Sequence, residues 1–95
     1  MSDPAMVGRY VCVDSWDNGV YVGVLSAVNG STVTITNARK LADWHDTPSP
    51  MWKIAKTSDT WGYKIANSEP EITVFEVHRI LACTYYAEDR LKKQR

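Results

Sequence analysis

Residues 20–41, VYVGVLSAVNGSTVTITNARKL, constrain the fold more than any other part of the chain. They read as a β-branched strand broken once by glycine, a turn dipeptide, and a strand in which Thr alternates with Val and Ile. In the first run Val20, Val22, Val24 and Val28 share one face, and Tyr21, Leu25 and Ala27 share the other. Both faces are apolar, so one faces the core and the other needs a cover, supplied by a partner subunit or by the C-terminal segment. Gly23 removes a side chain in mid-strand, where a sheet bends sharply. Asn29-Gly30 gives the positive φ of a tight hairpin. From Ser31 to Asn37 the alternation is clean, with Val33 and Ile35 inward and Thr32, Thr34 and Thr36 outward.

The flanks extend this pattern. Arg9 to Asp14 is aromatic and β-branched and predicts a first strand. Asn18-Gly19 then closes a hairpin loop that carries Trp16. The stretch from Asp43 to Pro50 holds two prolines and several cap-type residues, which predicts a loop. Ser49-Pro50 has the form of an N-cap with proline at the first helical position. It predicts a short helix from Pro50 to about Lys56 that buries Met51, Ile54 and Ala55 and ends at Ser58-Asp59. Trp61 to Ala66 reads as a fourth strand and Glu69-Pro70 as a break. Glu71 to Cys83 reads as a fifth strand with a kink near Glu76, where the alternation slips. Thr84 caps a closing helix from Tyr85 to about Lys93, with Glu88 and Asp89 early and Lys92 and Lys93 late, as the helix dipole favours.

The expected architecture is therefore mainly β: a small SH3/Sm-like curved barrel of about five strands with a short helical insertion and a C-terminal helix. Ninety-five residues make a single domain, 1–95, with residues 1–8 expected as a flexible N-terminus. So small a domain favours self-association, so a homo-oligomer is expected. Eleven Lys and Arg balance eleven Asp and Glu. That argues against a charge-driven coat on nucleic acid and leaves room for a local basic patch. No signal peptide and no apolar run of membrane-spanning length stand in the sequence, so a cytoplasmic location and no membrane partner are expected. Cys12 and Cys83 sit in apolar strand patterns and read as buried free thiols. His45 and His78 lack ligand spacing to either cysteine, so no metal and no cofactor are expected.

The block from Val20 to Leu41 resembles the first motif of Sm-like proteins, in which an apolar-x-Gly-x-Leu strand meets a turn and an alternating strand. The later Val77-His-Arg-Ile-Leu81 lacks the Ile-x-Gly of the second Sm motif. Most of the chain resembles a family of small, mostly phage-encoded proteins of unknown function. The elements that carry this are Asn18-Gly-Val20, Asn37-Ala-Arg-Lys40, Trp44, Met51 to Ala55, Glu71-Ile72 and Cys83-Thr84. The resemblance implies a viral or prophage origin, with action in the host cell, and a small accessory or counter-defence role.

The candidate ligand-binding residues are Asn37, Arg39, Lys40, Trp44, Trp52 and Lys53. Arg39 can fork onto a phosphate, or else pair with Asp43 or Asp46; Asn37 can read a base edge, or else brace the turn. Trp44, Trp52 and Trp61 can stack on purines among Lys53, Lys56 and Lys64, or else cover the end of the barrel. His45 beside Asp46 has the form of a base with a carboxylate, but no nucleophile motif or phosphate loop accompanies it, so no enzyme is expected. The basic end from Arg90 to Arg95 fits a solvated helix terminus or a contact with nucleic acid. These readings converge on a phage counter-defence sponge that sequesters a small anionic nucleotide ligand, such as a cyclic nucleotide immune signal. The alternatives are an Sm-like ring for single-stranded RNA or DNA, and a phage inhibitor or adaptor that binds a host protein.

Overall fold

One antiparallel sheet and two short helices make up the residues described by the computed structural model, 6–15, 19–43 and 51–93. Trp16, Trp44, His45 and Asp46 lie outside the described residues. Strands β1 (Tyr10–Ser15), β2 (Gly19–Asn29) and β3 (Thr32–Asp43) form a meander. Helix α1 (Met51–Thr57) and the short strand β4 (Tyr63–Ile65) follow, and β4 pairs the far end of β3. Strand β5 (Glu69–Val74) pairs the near half of β3, strand β6 (Val77–Ala82) pairs β1, and helix α2 (Tyr85–Lys93) follows.

The mainly β class holds, and the strand count rises to six because the last expected strand divides at its kink. Only Phe75 and Glu76 separate β5 from β6, and Glu76 takes a left-handed φ of 55°. The two halves of this bent segment reach opposite sides of the meander, so the sheet curls back on itself. Ser15 Oγ donates to the Phe75 carbonyl at 2.7 Å and the Val77 N–H donates to the Ser31 carbonyl at 2.8 Å, fixing the bend from both sides. Glu69-Pro70, expected as a break, instead opens β5. Ala38 pairs Glu69 and Thr36 pairs Glu71, so Pro70 lies opposite Asn37, where the ladder is interrupted and no N–H is required of it.

Two irregularities set which residues face where. On β2 the register passes from Leu25 opposite Ile35 to Ala27 opposite Thr34, so Ser26 is an extra residue. It shifts the alternation: Val28, expected with Val20 and Val22, packs instead with Tyr21 and Leu25, and Ala27 is exposed. On β3 the register passes from Thr36 opposite Val24 to Arg39 opposite Val22, so Gly23 alone faces Asn37 and Ala38. Asn37 holds φ 49°, the left-handed region in which Asn is among the most tolerated of non-glycine residues. The approach is close: a Cβ on Gly23 would stand 2.9 Å from the Thr36 carbonyl oxygen and 3.1 Å from the Ala38 Cα. Beyond this bulge β3 runs on to Asp43, past the expected end at Asn37.

The core has two parts, one on each side of the sheet. Inside the curl lie Val11, Val13, Tyr21, Leu25, Val33, Ile35, Ala38, Val74 and Val77. On the outer face Cys12, Val20, Val22 and Leu41 pack under Met51, Ile54 and Ala55 of α1 and Ala87 and Leu91 of α2. The cover needed by the second face of β2 is therefore the helical layer, with the C-terminal segment supplying half of it. Each large side chain buried there contributes roughly 1.5–3 kcal/mol. Helix α1 buries the three residues expected of it. Thr84 joins the two helices: its Oγ1 accepts from the Ala87 N–H at 3.0 Å and donates to the Lys56 carbonyl at 2.8 Å, while its own N–H donates to the Ala55 carbonyl at 2.9 Å. From residues 1–8, Gly8 donates its N–H to the Leu25 carbonyl at 2.8 Å and Met6 packs against the inner cluster. No helix among the described residues is long and apolar enough to cross a membrane.

Gly23→Ala forces the β2 and β3 backbones apart, and its expected cost is about 1–3 kcal/mol, read as a lowered urea midpoint. A second expectation concerns alkaline pH. Burial pushes the Cys83 thiol from its ordinary 9.0 up to about 12 and raises Cys12 as well. The folded state therefore holds thiol protons that the unfolded chain releases. This stability is fully present below about pH 9 and falls as pH rises toward about 12, by up to roughly 1.4 kcal/mol per pH unit per thiol. Urea titrations at a series of pH values should show the decline. Replacing both cysteines with Ala should remove the part that begins near pH 9, leaving the part that Tyr10, whose phenol burial also raises, adds above about pH 10.

Candidate functional site

Arg39 reaches the outer face because of the bulge at Asn37. Val33 and Ile35 face inward, and strict alternation would turn Arg39 inward after them. The extra residue gives that place to Ala38 and sends Arg39 to the side of the helices. There it is 7% exposed, with Nε donating to the Ala66 carbonyl at 2.8 Å and Nη1 donating to the Leu91 carbonyl at 2.7 Å. A guanidinium suits this position. It is planar, presents a fixed fork of donors and is less strongly hydrated than an ammonium. The Leu91 carbonyl belongs to the last turn of α2, where the helix dipole also favours a cation.

Arg39 forms one wall of an open cleft of about 680 Å³ between the β3 bulge, the chain after β4 and the end of α2. Asn37, Asn67 and Ser68 add amide and hydroxyl groups, Lys92 and Lys93 add two ammonium groups, and Tyr10 completes the lining. None of these described lining residues is acidic. Lys92 donates to Glu88 Oε2 at 2.6 Å, and its Nζ stands 5.4 Å from the centre of the Tyr10 ring. Lys93 pairs with Asp89 at 3.3 Å, a weak surface contact. Burial raises the Tyr10 phenol well above its ordinary range, followed by the Cys83 charge, while Arg39 acts against the shift. The phenol therefore keeps its proton at any physiological pH.

The structure brings Asn37 and Arg39 together and places Lys40, Trp52 and Lys53 elsewhere, while Trp44 lies outside the described residues. Lys40 follows Arg39 in a continuing strand, so it points to the opposite face, where its Nζ lies 5.8 Å from the Tyr21 ring. Trp52 and Lys53 ride on the exposed side of α1, with Lys53 Nζ 5.7 Å from the Trp52 ring and Trp52 56% exposed. Trp61 is exposed in the turn before β4. Neither described tryptophan of the central segment is in the core. Arg39 is bonded to the Ala66 and Leu91 carbonyls; of its expected alternative partners, the Asp43 side chain and Asp46 lie outside the described residues. The basic end of the chain, read as a solvated terminus or a nucleic-acid contact, supplies Lys92 and Lys93 to the cleft. Tyr10, Asn67 and Ser68 were not singled out in the sequence; a tyrosine in an apolar strand and an Asn-Ser pair in a turn carry no distinguishing pattern there. Among the described residues no three His, Cys, Asp or Glu side chains converge as a metal site would require. His78 Nε2 meets Asp14 Oδ2 at 3.1 Å between β6 and β1, away from the cleft.

Arg39 carries the attachment of α2, so its loss is expected to be felt throughout the outer core. Arg39→Met removes the charge-assisted hydrogen bonds to the Ala66 and Leu91 carbonyls, among its contacts, and should cost about 3–5 kcal/mol; Arg39→Lys, which cannot reproduce the fork, should cost about 2 kcal/mol. Lys40→Ala should stay within about 0.5 kcal/mol of the parent. Urea denaturation of the three variants measures the ordering.

No curated protein and no solved structure matches the chain. A family model described as a domain of unknown function, DUF6948, matches residues 8–91. That span takes in every described strand, the Asn37 bulge, Arg39 and all but the last two residues of α2, and the chain belongs to this family.

Proposed function

We propose that the protein is a non-catalytic binding module that holds a small anionic nucleotide ligand in the cleft beside Arg39. The observation that supports this most is the makeup of the lining: Arg39, Lys92 and Lys93 converge with amide and hydroxyl donors, and no described lining residue is acidic. In a chain of zero formal net charge, such a local gathering of cations suits a compact ligand bearing a few charges better than a long polyanion. The cleft is large enough for a nucleotide-sized molecule. The resemblance to phage-encoded proteins gives the biological use: sequestration of a cyclic nucleotide or similar immune signal in the host cytoplasm, as a counter-defence sponge.

A second reading, the capture of single-stranded RNA or DNA, draws on a different surface. Exposed aromatic rings of the helical layer each carry a cation: Lys53 at Trp52, Arg9 at Tyr85 and Arg90 at Tyr86. Such pairs offer stacking platforms with positive charge beside them.

The test is a thermal-shift and calorimetric screen of cyclic di- and trinucleotides alongside short oligonucleotides. A ligand at 100 times its Kd should add about 2.7 kcal/mol of stability by mass action. Lys93→Glu should weaken a cleft ligand and leave oligonucleotide capture by the aromatic surface intact. Binding that falls steeply with salt and grows with oligonucleotide length favours the second reading. No shift with any nucleotide at millimolar concentration rejects both.

A further inference from the structure

We propose that Tyr10 is the specificity-determining donor of the cleft, and that what it recognises is a phosphate oxygen rather than a base. This rests on the reading of the cleft as a ligand site and names the part of the ligand that the cleft reads. Tyr10 is 2% exposed and sits in β1 within the outer core. Its Oη is shielded from water and has no hydrogen-bond partner among the described residues. Buried polar atoms are nearly always partnered, and an exception calls for an explanation. Packing does not supply one, because a phenylalanine ring would fill the same volume without the polar atom. Position does, since Tyr10 lines the cleft together with Arg39 and Lys92.

The groups around Tyr10 define what would complete it. Arg39 lies beside it from β3, and Cys83 and Glu88 act on it from the chain around the start of α2. Cys12 acts from its own strand, and Lys92 covers its ring from α2. Burial keeps the phenol protonated, so it meets a ligand only as a donor, reached once the side chains that shield it from the cleft give way, and the neighbouring cations favour an acceptor that carries negative charge. An oxyanion meets both demands. A base does not, because none of the described lining residues offers it an open aromatic face. The Tyr10 ring is covered by Lys92, and the exposed rings of Trp52 and Trp61 are not among the lining residues. The ligand class is therefore a compact phosphate or pyrophosphate-bearing molecule, read through its phosphate oxygens with little regard to the base.

The experiment titrates the full chain, parent and Tyr10→Phe, with inorganic pyrophosphate, inorganic phosphate, a cyclic dinucleotide, and adenosine and guanosine without phosphate. Calorimetry reads affinity, and thermal melting without ligand reads the fold. The expected result is binding of pyrophosphate and the cyclic dinucleotide by the parent, none of the nucleosides, and a loss of about tenfold for both phosphate-bearing ligands in Tyr10→Phe, the scale of one good hydrogen bond. The melting temperature of ligand-free Tyr10→Phe should be unchanged or raised. Equal affinity in parent and variant overturns the role of Tyr10 while leaving the cleft as a nucleotide site. Nucleosides that bind as well as pyrophosphate overturn the phosphate assignment. A marked drop in the melting temperature of Tyr10→Phe shows a structural hydroxyl and also overturns the proposal. If the parent binds neither pyrophosphate nor any nucleotide, the reading of the cleft fails with it.

Discussion

The attachment of α2 by Arg39 is the contact on which the arrangement of the outer core depends. Its origin is one residue of register. Without the extra residue at Asn37, position 39 would face the inside of the curl, where a guanidinium would meet Val33, Ile35 and Leu25 and find few acceptors. With it, the same side chain meets the Leu91 and Ala66 carbonyls. The bulge in turn needs Gly23, since any side chain there would collide with the Thr36 and Ala38 backbone. Three residues on two strands, Gly23, Asn37 and Arg39, thus form a dependency in which backbone geometry decides where a charge is placed. A buried cation carries a desolvation cost, and here two carbonyls offset it, one of them at the negative end of a helix dipole.

The helical layer answers a problem posed by the sheet. A chain of this length has few residues with which to build a core, and a strand apolar on both faces exposes half of its surface unless something covers it. Helices α1 and α2 cover that half, and Thr84 ties them together by capping one and bonding the end of the other. The last turn of α2 has no such neighbour of its own. Arg39 supplies it, which is why a single residue of β3 reaches both the sheet and the C-terminal end of the chain. The cleft is what remains open between these parts. Its walls are the bulge, the chain after β4 and the last turn of α2, so it is a product of the same register shift.

Much of the fold was legible in the residues themselves. Thr and Val alternation placed the hairpin, Thr84 placed the start of α2, the spacing of Met51, Ile54 and Ala55 placed the buried side of α1, and the slip near Glu76 marked the bend at which β5 becomes β6. The Ser49-Pro50 cap lies outside the described residues. The doubly apolar face of β2 showed that a cover was needed and offered the C-terminal segment as one source of it. What the residues did not show were the two bulges. A bulge is a relation between strands and leaves no fixed local signature, so simple alternation assigns Val28 to the other face and ends β3 at Asn37. The error passed to the site. A strand that ends at Asn37 releases Arg39 and Lys40 into a loop where both can reach one ligand; a strand that continues turns them to opposite faces. Arg39 and Lys40 are therefore parted, neither joins Trp52 and Lys53 on α1, and the cations that join Arg39 in the cleft come from the end of α2.

That separation bears on what kind of ligand the protein can recognise. Stacking on an indole and neutralising a phosphate are different tasks, and among the described residues the groups suited to them lie on different surfaces: exposed Trp52 on α1, and the cation-lined cleft beside β3. The cleft is built from residues that also hold the fold together. Arg39 anchors α2, and Tyr10 belongs to the outer core while its hydroxyl lacks a partner among the described residues. A ligand that satisfies this hydroxyl and sits among the neighbouring cations would relieve an unfavourable feature of the native state as well as form new contacts. Binding and stability are then linked through the same side chains, so occupation of the cleft would be felt in the attachment of α2. A ligand taken by the exposed aromatic rings alone would touch side chains that the core does not use. The two modes differ in how far their effect reaches into the fold, and this difference follows from where the bulge at Asn37 puts Arg39.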